Sequence, residues 1–476
     1  MDVIALGELA GFVGASVPAG HAADARVGPD VVVDSRLATP GSIYVALPGE
    51  RADGHSFLGA AAQAGAVAAL VTRPSADPAL AELVVDDTAA ALATLAKAVV
   101  ASEPALKVVG ITGSSGKTST KDLVAQVLEL HAPTVAPQGS FNNEIGVPLT
   151  ALKVNRETRF LVSEMGARGR GHIAWLCDLV RPQVGMVINV GTAHLGEFGG
   201  VEGIVQAKGE LVEALPADGW AVLNADDPRV AGMANRTAAQ LAWFATSGRP
   251  EQPGGLKAWA EDVTAEAERY SFTLHIETAS GGGSAPVRLG LVGRHHVGNA
   301  VAAAAAATAL GVPLDTISEA LTAAAPRSRW RMELTERADG VLVVNDAYNA
   351  NPDSMRAALA TASGLLVERR TARPDARLVM VLGDMLELGD AAPTEHSALG
   401  ALAAQSGADM VIAVGEHAGL ISDAAKAGGA TVVPVPSRDD VVASLPALRP
   451  GDIVLLKASR GVGLDTVATA LLEASC

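Results

Sequence analysis

Between residues 107 and 120 the chain reads Lys-Val-Val-Gly-Ile-Thr-Gly-Ser-Ser-Gly-Lys-Thr-Ser-Thr, an apolar run followed by a glycine-rich turn. These residue types at this spacing suit a triphosphate. Gly113, Ser114, Ser115 and Gly116 let backbone N–H groups approach phosphate oxygens, Lys117 brings a point charge, and Thr118 and Ser119 offer hydroxyls, that of Thr118 to Mg²⁺ at a helix N-terminus. The general phosphate-loop pattern wants a glycine five residues before Gly116, and Ile111 stands there, so the loop is a shortened variant. A chance turn in a chain with 50 glycines is the bland alternative; Lys117, Thr118 and the flanking elements argue against it.

Other polar residues fall just past strand-like runs. Glu164 follows Phe160 to Ser163, and His194 follows Gly185 to Val190; a carboxylate and an imidazole there could reach a metal near the phosphates, or could cap loops. Position alone leaves both readings standing. Lys208, in Gln-Ala-Lys-Gly-Glu-Leu, reads by itself as a solvated lysine on a helical segment. The run Asn345 to Pro352 holds more polar side chains than a strand-to-helix turn needs, although Asx residues favour turns and caps.

The elements that must position these groups follow an α/β rhythm. Residues 1–103 alternate Val31 to Val33, Ile43 to Leu47 and Ala68 to Val71 with turns and an alanine-rich helix, the pattern of a small α/β domain. Glu103-Pro104 is a candidate hinge, since proline pushes its predecessor out of helix. In residues 104–325 the run Val108 to Ile111 predicts the strand before the phosphate loop, and Leu123, Val124, Val127 and Leu128 predict a helix face after it. Strands at Phe160 to Ser163, Gly185 to Val190 and Trp220 to Asn224 complete a mostly parallel sheet with helices. Thr246 to Gly255 and Ala279 to Pro286 read as loops, the second joining hairpin strands, and Ala300 to Leu310 as a helix packed tightly on a neighbour. Residues 326–476 have a Rossmann-like rhythm: Val341 to Val344, Leu378 to Leu382, Met410 to Val414, Thr431 to Val435 and Ile453 to Lys457 alternate with alanine-rich helices. They lack GxGxxG after the first strand, so a dinucleotide is not expected.

Size and charge bound the function. A chain of 476 residues holds several domains, and a net charge of -16 argues against broad nucleic-acid or membrane contact. Only Cys177 and Cys476 occur, and the start, Met-Asp-Val-Ile-Ala-Leu-Gly-Glu-Leu, has acids where an export signal needs bases. A cytoplasmic protein without membrane insertion is expected.

Taken together, the motifs resemble the Mur ligase family, across all three blocks. Asp34-Ser35-Arg36, Pro40 to Leu47 and Gly49 to His55, with Asp53, resemble the UDP-binding domain of the ligases that add the third and fourth components. Thr112 to Ser119 matches the family's shortened phosphate loop, and Ser140 to Pro148, with Asn142 and Asn143, resembles a segment meeting the muramoyl-peptide. Asn345 to Met355, with Asn349 and Asn351, and Val381 to Gly389 resemble the branch that adds a dipeptide. The resemblance implies that ATP is held by residues 113–119 with Asn299, Arg331 and Asp346. It implies Mg²⁺ on Thr118, Glu164, His194 and Lys208, the lysine as its carbamate, and a dipeptide carboxylate at Ser459 and Arg460. The implied activity is ATP-dependent joining of D-alanyl-D-alanine to UDP-N-acetylmuramoyl-tripeptide through an acyl phosphate, with Lys117, Glu164, His194 and Lys208 catalytic. A monomer that stays open until its substrates bind is expected.

Two positions depart from the family pattern: His296 stands where Asn is usual, and Ala458 where Lys457 and Ser459 usually bracket a glycine. The rivals explain less. A third-residue ligase should carry Asp-Asn-Pro-Arg in its last block, which is absent; folylpolyglutamate synthetase leaves Asp34 to Arg36 and Gly49 to His55 unexplained; a binding protein switched by ATP or GTP hydrolysis would not require two flanking substrate domains, and the chain has no guanine-reading Asn-Lys-x-Asp.

Overall fold

The computed structural model describes residues 1–49, 52–75, 79–191 and 198–473. After a short antiparallel pair, Ile4–Ala5 with Arg26–Val27, its first larger sheet is parallel throughout, built of Val31–Val32, Ile43–Val45, Ala68–Val71 and Ala81–Val84. Helix Thr88–Ala101 begins at Asp87, whose carboxylate accepts the N–H groups of Ala89 and Ala90, satisfying two otherwise orphaned donors. Leu92, Leu95 and Val99 of this helix join one continuous apolar cluster with Ile43 and Leu70 beneath it and Val147, Leu176 and Val180 of the next sheet's helices.

The central sheet has nine strands, and its position-setting strand is Lys107–Thr112. On one side of it lie Phe160–Glu164 and Thr134–Val135; on the other lie Val184–Val187, Trp220–Asn224, Gln240–Ala245 and Leu256–Glu266, all parallel. Connections therefore leave Lys107–Thr112 in opposite directions, and such a switch point opens a crevice at the strand carboxyl ends. The strand following Phe160–Glu164 ends at Val187, earlier than the Val190 expected, because segment 188–191 turns away to hold the phosphate loop.

Antiparallel strands Arg269–Thr278 and Gly281–Val292 extend the sheet at its far edge. This corrects the loop expected at Ala279 to Pro286. Its glycines pair with Ile276, Glu277 and Thr278 in the ladder, so the turn shrinks to two residues, 279 and 280. Helix His295–Ala309 packs on helix Lys117–His131 and on Gln240–Ala245, with Ala300 to Ala307 fully buried. Methyl side chains allow that close approach, as the alanine run suggested.

A third, six-stranded sheet orders Leu342–Asn345, Ile453–Lys457, Leu378–Gly383, Met410–Val414 and Thr431–Val435 in parallel, with Glu333–Glu336 antiparallel at its edge. Apolar clusters cover its two faces separately. No described helix is long and apolar enough to cross a membrane.

Candidate functional site

The crevice at the switch point is a cavity of about 580 Å³, walled on one side by the central sheet's loops and on the other by residues of the six-stranded sheet. Ser114, Ser115, Gly116, Lys117, Thr118 and Ser119 form its floor. Gly116 sits at φ 78°, the left-handed conformation glycine tolerates, and a Cβ there would come within 3.0 Å of Asn299 Oδ1. Asn189 braces the turn. Its Oδ1 accepts the N–H groups of Ser114 and Ser115 at 2.9 and 3.0 Å, and its Nδ2 donates to Ser115 O at 3.1 Å.

Lys117 curls back so that Nζ donates to Gly113 O at 2.8 Å. Burial pulls its pKa down and the neighbouring Arg331 pulls the same way, against the attraction of Glu164. Lys208, on helix Val201–Glu213, is only 5 % exposed, which overturns the solvated reading of that residue taken alone. Burial pushes its pKa well below the ordinary lysine value, and the Lys117 charge pushes further. An anionic ligand beside these two buried basic groups would offset their mutual repulsion.

Glu164 ends the strand Phe160–Glu164 and is fully buried. Its Oε1 accepts Ser140 Oγ at 2.8 Å and Asn142 Nδ2 at 2.7 Å, whereas Oε2 has no hydrogen-bond partner among the described residues. A buried carboxylate oxygen left without a donor is costly unless a cation completes it. Glu164 and the Thr118 hydroxyl are hard oxygen donors of the kind Mg²⁺ takes; Lys208 fits as a ligand only once its amine has become a carbamate. His194 lies outside the described residues.

The C-terminal wall supplies Arg331, Met332, Asp346, Tyr348, Asn349, Asn351, Lys457, Ser459 and Arg460, so the structure brings most of the expected groups to one place. Arg331 Nη2 donates to Thr118 Oγ1 at 2.9 Å, and its guanidinium lies 4.3 Å from the Tyr348 ring centroid. The two walls touch through this bond. Asp346 Oδ2 pairs with buried Lys457 Nζ at 2.6 Å, and Oδ1 accepts the Met332 N–H.

Several expected ligand-binding residues carry structural duties. Asn351 caps helix Pro352–Ala372 in a reciprocal box with Ser354, and Asn143 Oδ1 accepts the Gly146 N–H at the start of helix Gly146–Ala151. Exposed Asn349 accepts the Ala350 N–H; Ser459 Oγ accepts the Leu386 N–H; exposed Arg460 stacks 4.0 Å from the Trp330 centroid and pairs with Asp465. Ser35, Arg36, Asp53 and His55 are not in this cavity. There Asp34 pairs with Arg36, and His55 is held through both ring nitrogens, by Asp53 at Nδ1 and the Thr72 N–H at Nε2.

The departures are accommodated. The Ala458 methyl is fully buried against Gly383, where any Cβ would approach it to 2.7 Å. His296 lies 3.5 Å from Asn299 Nδ2 and 4.2 Å, ring to ring, from His295. Burial drives the pKa of both rings down, His295 to about 4.

Asn189 was not singled out from the sequence, and Lys457 entered only as a neighbour of Ala458, with no role given. Each follows or closes an apolar strand in the crevice, which is the one signal that could have found them. Asp384, His396 and His417 also converge, but His396 Nε2 accepts the Met385 N–H while Nδ1 donates to Ala392 O, so that ring keeps no lone pair for a metal.

Family models match the chain in three places: the Mur ligase middle domain over residues 111–307, the Mur ligase glutamate ligase domain over 330–460, and the Mur ligase family catalytic domain over 30–100. The UDP-N-acetylmuramoyl-tripeptide--D-alanyl-D-alanine ligase of Mycobacterium tuberculosis is 44% identical over 99% of this chain and 98% of its own. The enzyme of that name from Escherichia coli is 36% identical over 93% of each. A MurF crystal structure from Acinetobacter baumannii superposes with TM-score 0.83 at 32% identity, covering 99% of both chains. A MurF ligase from Thermotoga maritima in complex with ADP gives 0.73 at 27%, covering 93% of this chain and 97% of that one.

Proposed function

The chain belongs to the Mur ligase family, and from that premise we propose how its cavity works. It is an ATP-dependent amide-bond-forming ligase of peptidoglycan synthesis, joining D-alanyl-D-alanine to UDP-N-acetylmuramoyl-tripeptide. The observation that carries the mechanism is the convergence of Lys117, Thr118, Glu164 and Lys208 with Arg331 in one crevice.

On this reading residues 104–325 hold ATP, residues 1–103 hold the UDP end of the acceptor through Ser35, Arg36, Asp53 and His55, and residues 326–476 hold the dipeptide. The tripeptide's terminal carboxylate attacks the γ-phosphorus of ATP, giving an acyl phosphate and ADP; the dipeptide amine then attacks the acyl carbon and inorganic phosphate leaves. Two anions must meet in the first step. Lys117 and the N–H groups of residues 113–119 take up charge on the transferring phosphoryl group, and Arg331 reaches it across the crevice. Thr118, Glu164, His194 and carbamylated Lys208 would hold Mg²⁺, which when bound would supply further charge neutralisation. Asn142 orients Glu164 and meets the acceptor beside Asn143. Asn299 lies against the phosphate turn for the nucleotide, and the Asp346–Lys457 pair shapes the wall opposite. The free side-chain donors of Asn349, Asn351 and Arg460 face the dipeptide's carboxylate, and Ser459 would join them by turning its hydroxyl from Ala350 O. The chain acts as a cytoplasmic monomer.

Phosphate release from the purified protein tests this. It should require ATP, the muramoyl tripeptide and D-alanyl-D-alanine together; release indifferent to both peptide substrates would mark a nucleotide switch and sink the ligase reading.

A further inference from the structure

Residues 324–332 join helix Leu314–Ala323 to strand Glu333–Glu336, and so connect the central sheet to the C-terminal one. They do not cross as a free tether. They run back along helix Lys117–His131, whose first residues are the phosphate loop's Lys117 and Thr118.

Three sets of contacts hold them there. Gln126 Oε1 accepts the Ala325 N–H at 3.0 Å, and Gln126 Nε2 donates to Ala325 O at 3.2 Å, so one side-chain amide grips both polar groups of one linker residue. Next, Glu129 accepts two hydrogen bonds from the Arg327 guanidinium at 2.7 and 2.6 Å, with Asp122 adding attraction from the same helix. Last, Arg331 reaches Thr118. Positions 118, 122, 126 and 129 follow helical spacing and share one face.

The lengths agree. Thr118 and Gln126 are about 12 Å apart along the helix, and Ala325 to Arg331 spans at most about 20 Å. Trp330 and Met332, on either side of Arg331, hold φ of 60° and 49°, which bulky side chains rarely adopt. Such a kink persists only when its surroundings fix it at both ends. Gln126, Glu129 and Arg327 touch no part of the cavity.

We propose that Gln126, with the Glu129–Arg327 pair behind it, is a positioning residue. It sets the register of the linker on the phosphate-loop helix so that Arg331 arrives at Thr118, tying the C-terminal sheet's placement to the nucleotide. The inference rests on the reading that ATP sits at Lys117 and Thr118.

A mutant cycle on the whole chain tests it, reading kcat/KM for ATP from phosphate release with both peptide substrates saturating, and Tm alongside. Arg331→Ala should lower kcat/KM at least about tenfold. Gln126→Leu should lower it about tenfold, with little change in Tm, yet change it less than about twofold in the Arg331→Ala background. An equal loss in both backgrounds, or no loss where Arg331 is present, overturns the positioning role while leaving the nucleotide site intact. Arg331→Ala with unaltered kcat/KM instead defeats the nucleotide reading, and this inference with it. Should Gln126→Leu fail to fold, Arg327→Gln carries the same cycle from the surface, with the same outcomes deciding.

Discussion

A lysine amine that burial keeps from its proton is a better nucleophile toward carbon dioxide than a solvated one, and Lys208 has that setting. As an ammonium it would repel both Lys117 and a cation; as a carbamate it becomes an oxygen donor on the same helix as the glycine beside it. The companion observation is Glu164, whose Oε2 lacks a partner among the described residues. Replacing Lys208 by alanine should therefore cut ligation by about a hundredfold or more. Formate or acetate added to Lys208→Ala should restore part of the rate by supplying the missing carboxylate. Full activity in that variant without additive would remove the carbamate from the mechanism.

Between the residue and the domain, what matters is which polar groups the elements consume for themselves. Asn351 illustrates the limit of reading function from composition: its Oδ1 and backbone N–H are closed in a capping box with Ser354, leaving only the amide nitrogen for a ligand. Asn351→Ala should cost about 1 kcal/mol of stability, seen as a fall of a few degrees in Tm. If its remaining amide meets the dipeptide, KM for D-alanyl-D-alanine should rise as well, whereas a cap alone would shift Tm and leave KM untouched. The parallel strands were legible because buried strands write continuous Val, Ile and Leu runs, and the phosphate turn because glycine and lysine are fixed by geometry. The edge strand Glu333–Glu336 was not, since its polar residues carry no alternation, and neither was Gly281–Val292, whose glycines read as a turn until the ladder is seen. The roles of Asn189 and Lys457 stayed hidden for another reason: a bracing amide and a buried ion pair depend on partners far away in sequence.

At the scale of the molecule the joints are unequal. The first and central sheets share one apolar cluster, from Leu92 and Val99 to Leu176 and Val180, which resists sliding. The C-terminal sheet and its helices touch the centre through smaller contacts, among them the linker, Val292, Asp353 against Gly191, and the turn after strand Leu256–Glu266. In that last contact Gly364, on helix Pro352–Ala372, leaves room for Glu268, whose carboxyl also accepts the Tyr270 hydroxyl; a Cβ at Gly364 would fall 1.9 Å from Glu268 Oε1 and 2.4 Å from its Cδ. Gly364→Val should thus wedge the two parts apart without touching the phosphate loop. An acyl phosphate formed in a looser crevice meets water before it meets the dipeptide amine. The expected signature is a kcat for ligation lowered about tenfold with more phosphate released than amide formed, and a KM for the muramoyl tripeptide close to that of the parent. Adding Glu268→Ala opens space for the valine and should restore coupling of phosphate to amide. If the double variant stays as uncoupled as the single one, the defect lies within the helix and not in how the sheets close, and water exclusion must be assigned to the crevice walls alone.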